Sequence, residues 1–165
     1  PPGYSNLTEE YDGTSWTAGG NLGTARYATH TFGTQTATGC SGGFGVPGGA
    51  VLDPMEEYDG SSWTEVTNAP RNNGNGNAWG TQTDGILVSG SDGPPQNQLT
   101  VECMTYDGTN WSTTASMATA RVALGGAGTN TVGLAFGGNA PPQTTATEEF
   151  TGETTSLNLK TITDS

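Results

Sequence analysis

The chain has 165 residues, a net charge of −12, 27 glycines and only 22 residues of Leu, Ile, Val and Phe together. Sixteen acids against four bases exclude a nucleic-acid partner, whose phosphates need Lys and Arg, and the same balance argues against anionic lipid surfaces. No run reaches the roughly 20 apolar residues of a membrane span, so no membrane partner is expected. The profile is that of a disordered chain, but regularly spaced Tyr and Trp argue for folding.

The first predicted element is a hairpin turned by Tyr11-Asp12-Gly13-Thr14-Ser15-Trp16, with Thr8-Glu9-Glu10 as its leading arm. Asp-Gly between strand-like arms is a strong hairpin signal, because glycine tolerates positive φ and the primed turns match strand twist. Next come Thr24-Ala25-Arg26, a Gly33-Thr34-Gln35-Thr36 turn, a small-residue run from Ala37 to Gly43, and a Gly/Pro loop at 45–49. The order then repeats: Met55-Glu56-Glu57, Tyr58-Asp59-Gly60-Ser61-Ser62-Trp63, Ala69-Pro70-Arg71, Gly80-Thr81-Gln82-Thr83, and an apolar run from Ile86 to Gly90. It repeats again as Val101-Glu102, Tyr106-Asp107-Gly108-Thr109-Asn110-Trp111, Thr119-Ala120-Arg121, Gly128-Thr129-Asn130-Thr131, and Val132 to Gly138. A degraded fourth copy begins at Thr147-Glu148-Glu149 and Phe150-Thr151-Gly152. The aromatic leaders stand 47, 48 and 44 residues apart, a period that denotes a repeat architecture.

Each repeat reads as four short strands, and no stretch has helical periodicity. Four-stranded sheets at this period predict an all-β fold, a β-propeller segment of about three and a half blades with the ring incomplete. The units are a partial blade at 1–20, repeats at 21–66 and 67–115, and a terminal repeat at 116–165, forming one array. A closed ring takes four to eight blades. The chain therefore reads as the C-terminal part of a longer polypeptide, or as a half-ring completed by another copy. Tyr11, Trp16, Tyr58, Trp63, Tyr106 and Trp111, with the turn glycines Gly13, Gly60 and Gly108, are the structural repeat residues. Their indoles are expected to fill the gaps between blades.

The recurring order of Arg, apolar-Gly-Gly, Glu-x-Tyr-Asp and Trp resembles the kelch repeat. That resemblance implies that Gly-Gly ends the second strand of a blade, Tyr falls late in the third, and Trp early in the fourth. The copies depart from the usual form in their five-residue Tyr-to-Trp spacing and in Ser89-Gly90, which replaces one Gly-Gly. The short Thr/Gly/Ala-rich style, with the tail at 154–163, is similar to the kelch-like arrays of marine phage virion proteins. In kelch proteins the equivalents of Arg26, Arg71 and Arg121 open the first strand near the pore, and in some members they contact the partner. The alternative is that each arginine bridges an adjacent blade through backbone carbonyls or a Glu.

Little in the chain suggests catalysis. His30 is the single histidine and reads as a half-buried strand residue. One histidine cannot satisfy the copper site of galactose oxidase, a kelch enzyme, so that activity is not carried over. The glutamate pairs 9/10, 56/57 and 148/149 recur, whereas catalytic carboxylate pairs occur once; they read as solvated strand edges. Asp12, Asp59 and Asp107 read as turn residues whose side chains bond the amides ahead, with no metal and no cofactor. Cys40 and Cys103 read as small buried hydrophobes. The expected function is a non-enzymatic structural and binding module of a phage virion appendage, a tail fibre or adhesin acting outside the cell in host recognition. Its loops at 45–54, 72–77, 91–98 and 138–144 would meet a surface glycan or protein. Its other partners would be virion or filament subunits, including copies of itself. The alternatives are a carbohydrate-active enzyme whose catalytic groups lie upstream, and an architectural subunit of an extracellular filament.

Overall fold

A computed structural model describes residues 3–46, 48–93 and 98–152, and among them every regular element is a β-strand. The chain opens with a hairpin of β1 (Glu9–Tyr11) and β2 (Trp16–Ala18), in which Tyr11 faces Trp16 across the turn. The first complete blade has the antiparallel order β4 (His30–Thr34), β5 (Ala37–Ser41), β8 (Met55–Tyr58) and β9 (Trp63–Glu65). The second repeats it with β10 (Asn77–Thr81), β11 (Asp84–Ser91), β12 (Leu99–Tyr106) and β13 (Trp111–Thr114). The third is described as β14 (Gly125–Gly128), β15 (Val132–Phe136) and β16 (Thr147–Thr151). The tail at 153–165, read with the terminal repeat, lies outside the described residues. These small sheets stand side by side as a partial β-propeller, without a closed barrel.

Local chemistry places the strands as the repeat predicts. Gly42-Gly43 follow the second strand of the first blade, Tyr58 and Tyr106 end third strands, and Trp63 and Trp111 begin fourth strands. Asp59 Oδ1 accepts the amide hydrogens of Ser61 and Ser62, each at 2.8 Å, and Asp12 and Asp107 grip their turns the same way. The turn amides hold the Asp59 carboxyl at a pKa of about 2 and keep Asp12 and Asp107 below the usual carboxylate range.

The core lies in the seams between blades. Phe32, Met55, Leu87, Met104 and Tyr106 fill the seam between the first and second blades. Trp79, Ile86, Val88, Cys103, Leu124 and Ala135 fill the next. Alternation along each strand assigns one set of side chains to each neighbour: Leu87 faces back, while Ile86 and Val88 face forward. Phe32 and Trp79, from the innermost strands, lie against the following blade where Gly85 and Gly133 provide clearance, since a Cβ at either glycine would collide with the ring.

Two expectations are corrected here. The repeated tryptophans are not the deeply buried rings: Trp16 is 66% exposed, and Trp63 and Trp111 are half-buried at the seam margins. Their indole N–H groups donate across the seam, Trp63 to Thr8 Oγ1 at 2.9 Å and Trp111 to the Thr67 carbonyl at 2.8 Å. Tyr58, Tyr106 and the unrepeated Trp79 go inside, while Tyr11 is 47% exposed. His30 is fully buried rather than half-buried.

Candidate functional site

In the first blade a pairing that the other repeats make only as isolated bridges, Gly74 with Ser91 and Val122 with Asn139 among the described residues, widens into strands. β3 (Arg26–Tyr27) pairs with β6 (Phe44–Gly45), and β6 pairs with β7 (Ala50–Val51), forming a small sheet apart from the blade. Its register places Tyr27 opposite Phe44, and their rings stack with centroids 5.3 Å apart at 28°. Tyr4 joins from the N-terminal segment at 5.6 Å from Tyr27. These rings wall a cleft of about 530 Å³ whose rim is Ala28, Gly48, Gly49 and Asn75. Tyr27 is 54% exposed, so an aromatic face is presented to solvent beside amide groups. The rim draws on the 45–54 and 72–77 loops, both read from the sequence as irregular and variable. The aromatic wall itself was missed. Tyr4, Tyr27 and Phe44 are scattered and unrepeated, and the one available signal was that aromatic residues fall outside the repeat pattern.

The arginines are placed differently from a ligand-binding arc. Arg26 has no exposed side-chain surface; it donates to the Pro54 carbonyl at 2.8 Å and pairs with Glu56 at 2.7 Å. Arg121 is equally enclosed, donating to the carbonyls of Gly137 and Ala146 and pairing with Glu148. Arg71 pairs with Glu102 at 2.9 Å, with 22% of its side chain exposed. Arg26 and Arg121 therefore tie the second and third strands of their own blades, rather than an adjacent blade, and Arg71 holds Glu102 of the third strand. Arg26 and Arg121 offer a ligand no surface. Glu102 lies four residues before Tyr106, whereas Glu56 and Glu148 lie two before Tyr58 and Phe150, and a two-residue step keeps the same strand face.

In the first two pairs the other glutamate, Glu10 or Glu57, faces the opposite way and crosses to the next blade. Tyr58 donates its hydroxyl to Glu10, and Tyr106 donates to Glu57 at 2.9 Å. The bond to Glu10 raises the Tyr58 pKa, and burial followed by the Glu57 contact raises that of Tyr106. Glu10 and Glu57 are therefore seam components rather than solvated edges, whereas Glu9 and Glu149 are exposed strand residues. In the third seam both partners change together: Thr105 replaces the acceptor and Phe150 lacks the hydroxyl. Cys40 and Cys103 are free thiols, both buried, and burial pushes Cys103 up to about 11.

No family model matches the chain, and no curated protein does. Among solved structures, that of YjhT superposes with a TM-score of 0.76 over 94% of this chain, at 15% sequence identity. The likeness is one of fold. The chain spans about half of YjhT, 52% of its length, and the superposition places the seams and struts within a propeller arrangement.

Proposed function

We propose that the chain is a non-catalytic binding and structural module of a virion appendage or comparable extracellular fibre, and that its Tyr4–Tyr27–Phe44 cleft takes a sugar ring of a surface glycan. The observation that carries the reading is the stacked, part-exposed aromatic wall set on a rigid sheet and rimmed by the variable loops. Aromatic faces with a few convergent polar groups are how small polar ligands are oriented, and loops on a repeating scaffold are where specificity concentrates. The resemblance of the repeats to phage virion arrays supports the setting. The absence of catalysis is supported by the engagement of the carboxylates: Glu56 and Glu148 hold arginines, Glu10 and Glu57 hold tyrosine hydroxyls, and His30 is buried.

A glycan array probed with the intact chain tests the proposal, followed by titration of the best oligosaccharide. Tyr27→Ala should abolish binding while leaving the melting temperature near that of the parent, because the ring is more than half exposed. An array without signal, or binding unchanged in Tyr27→Ala, refutes the cleft as the site. Release of sugar from the bound glycan refutes the non-catalytic reading.

A further inference from the structure

A few recurring contacts join neighbouring blades or hold one blade together, and at the two ends of the described array these contacts are present by half. Near the axis Asn75 donates its amide hydrogen to the Ala28 carbonyl at 2.9 Å, and Ala123 donates to the Asn75 carbonyl at 2.7 Å. The three residues share positive φ, at 52°, 61° and 52°, so a backbone ladder runs from the Ala28 N–H at one end to the Ala123 carbonyl at the other. Glu56, Glu102 and Glu148 each hold an arginine, whereas Glu9, the matching residue of β1, is exposed. Leu134 and Phe136 are 39% and 46% exposed on the outer face of β15. Their counterparts Ile86 and Val88, by the alignment of Gly133 with Gly85, are 0% and 1% exposed where a blade follows.

The inner strands show the same complementarity in size. Large rings at Phe32 and Trp79 meet Gly85 and Gly133 in the following blade. At the ends of the array, Ala127 stands in the ring position on β14 and Thr38 in the glycine position on β5. A small residue is offered where the clearance for a large one is missing. Beside Thr38 lies a cleft of about 310 Å³, lined also by Glu10, Thr29, Thr31 and Cys40. It lies next to β1, which pairs only with β2 among the described residues.

We infer that this cleft seats the inner hairpin β14–β15 of a second copy, with β1 exchanging for that copy's β16 as the third strand of the shared blade. The exchange is conservative, because Thr8-Glu9-Glu10-Tyr11 replaces Thr147-Glu148-Glu149-Phe150. The partner subunit's Arg121 regains a glutamate in Glu9, and the partner's Leu134 and Phe136 are covered by the β4–β5 face. Trading one strand for its equivalent is a low-cost route to a dimer, and a head-to-tail contact closes when the rotation permits. The pairing is independent of the glycan reading.

Sedimentation equilibrium of the intact chain from micromolar to millimolar concentration tests the pairing. The mass should rise from 16.8 kDa to twice that value and stop. Ala127→Trp, at an exposed position, should weaken association at least about tenfold, and adding Thr38→Gly should restore it by reopening the clearance seen at Gly85 and Gly133. Glu9→Arg, which sets like charges against the partner's Arg121, should weaken the pair without altering the melting temperature of the dilute monomer. A strict monomer overturns the inference, as does open-ended growth. A dimer indifferent to Ala127→Trp or Glu9→Arg overturns it, and so does a Thr38→Gly second change that restores nothing.

Discussion

Trp79→Ala should be among the most damaging single substitutions in the chain, and Trp16→Ala among the mildest. Trp79 is 6% exposed, its ring covers Gly126 and Gly133, and its indole donates to the Thr129 carbonyl at 2.9 Å. Truncating a buried ring costs about 3–5 kcal/mol, and the stranded carbonyl adds about 1 kcal/mol. Across a chain of this length about 4–6 kcal/mol lowers the melting temperature by roughly 8–24 °C. Trp16 is 66% exposed, and its removal should fall within about 0.5 kcal/mol of the parent. Urea unfolding of dilute protein, followed by far-UV circular dichroism for the parent and both variants, measures the difference. If the two variants lie within about 1 kcal/mol of each other, the assignment of the core to Trp79 is wrong.

Arg121→Met should cost about 3 kcal/mol, because it strands two carbonyls and the Glu148 carboxylate, while Arg71→Met should cost under about 1 kcal/mol because Glu102 is 57% exposed; equal losses in urea midpoint would contradict the strut. Gly133→Ala should destabilise by about 1–3 kcal/mol, since its methyl collides with the Trp79 ring, and a neutral thermal melt would show that the seam has slack. Burial holds His30 at a pKa of about 4, below the ordinary 6.5. The unfolded chain therefore binds the proton first as pH falls. Stability from this group is full above pH 6.5 and declines by about 3 kcal/mol through the window down to pH 4. Urea midpoints at pH 7 and pH 4 should converge in His30→Gln, and an unchanged pH difference would exonerate His30.

What the sequence disclosed was local. The Asp-Gly turns, the strand order and the position of Gly-Gly follow from contacts two to five residues apart, which spacing encodes directly. Glu10, Glu56, Glu57 and Glu148 were misread as solvated edges because their partners lie a full repeat or more than half a repeat away. Adjacent strand residues point to opposite faces, so one glutamate meets an arginine of its own blade and the other a tyrosine of the next. Arg26 and Arg121 went from candidate ligand contacts to enclosed struts for the same reason, since only the fold shows that carbonyls converge on them. Trp79 had a readable signal: like Phe32, it directly precedes a Gly-Thr-Gln-Thr turn. The widening of the β3–β6–β7 pairing into a sheet had none, because the Tyr27–Phe44 stack that marks it out is unrepeated and the other repeats make only single bridges there.

The tyrosine-to-glutamate bonds join residues 48 and 49 positions apart, which is one repeat unit. A tandem gene duplication of that length carries a donor and an acceptor together, so the array can lengthen without orphaning a hydroxyl. Recombination between unlike units is not so forgiving. A unit bearing Thr105 placed before one bearing Tyr106 leaves that phenol without its carboxylate acceptor, whereas before Phe150 it does no harm. Inheritance by whole units is therefore favoured over piecemeal drift at these positions.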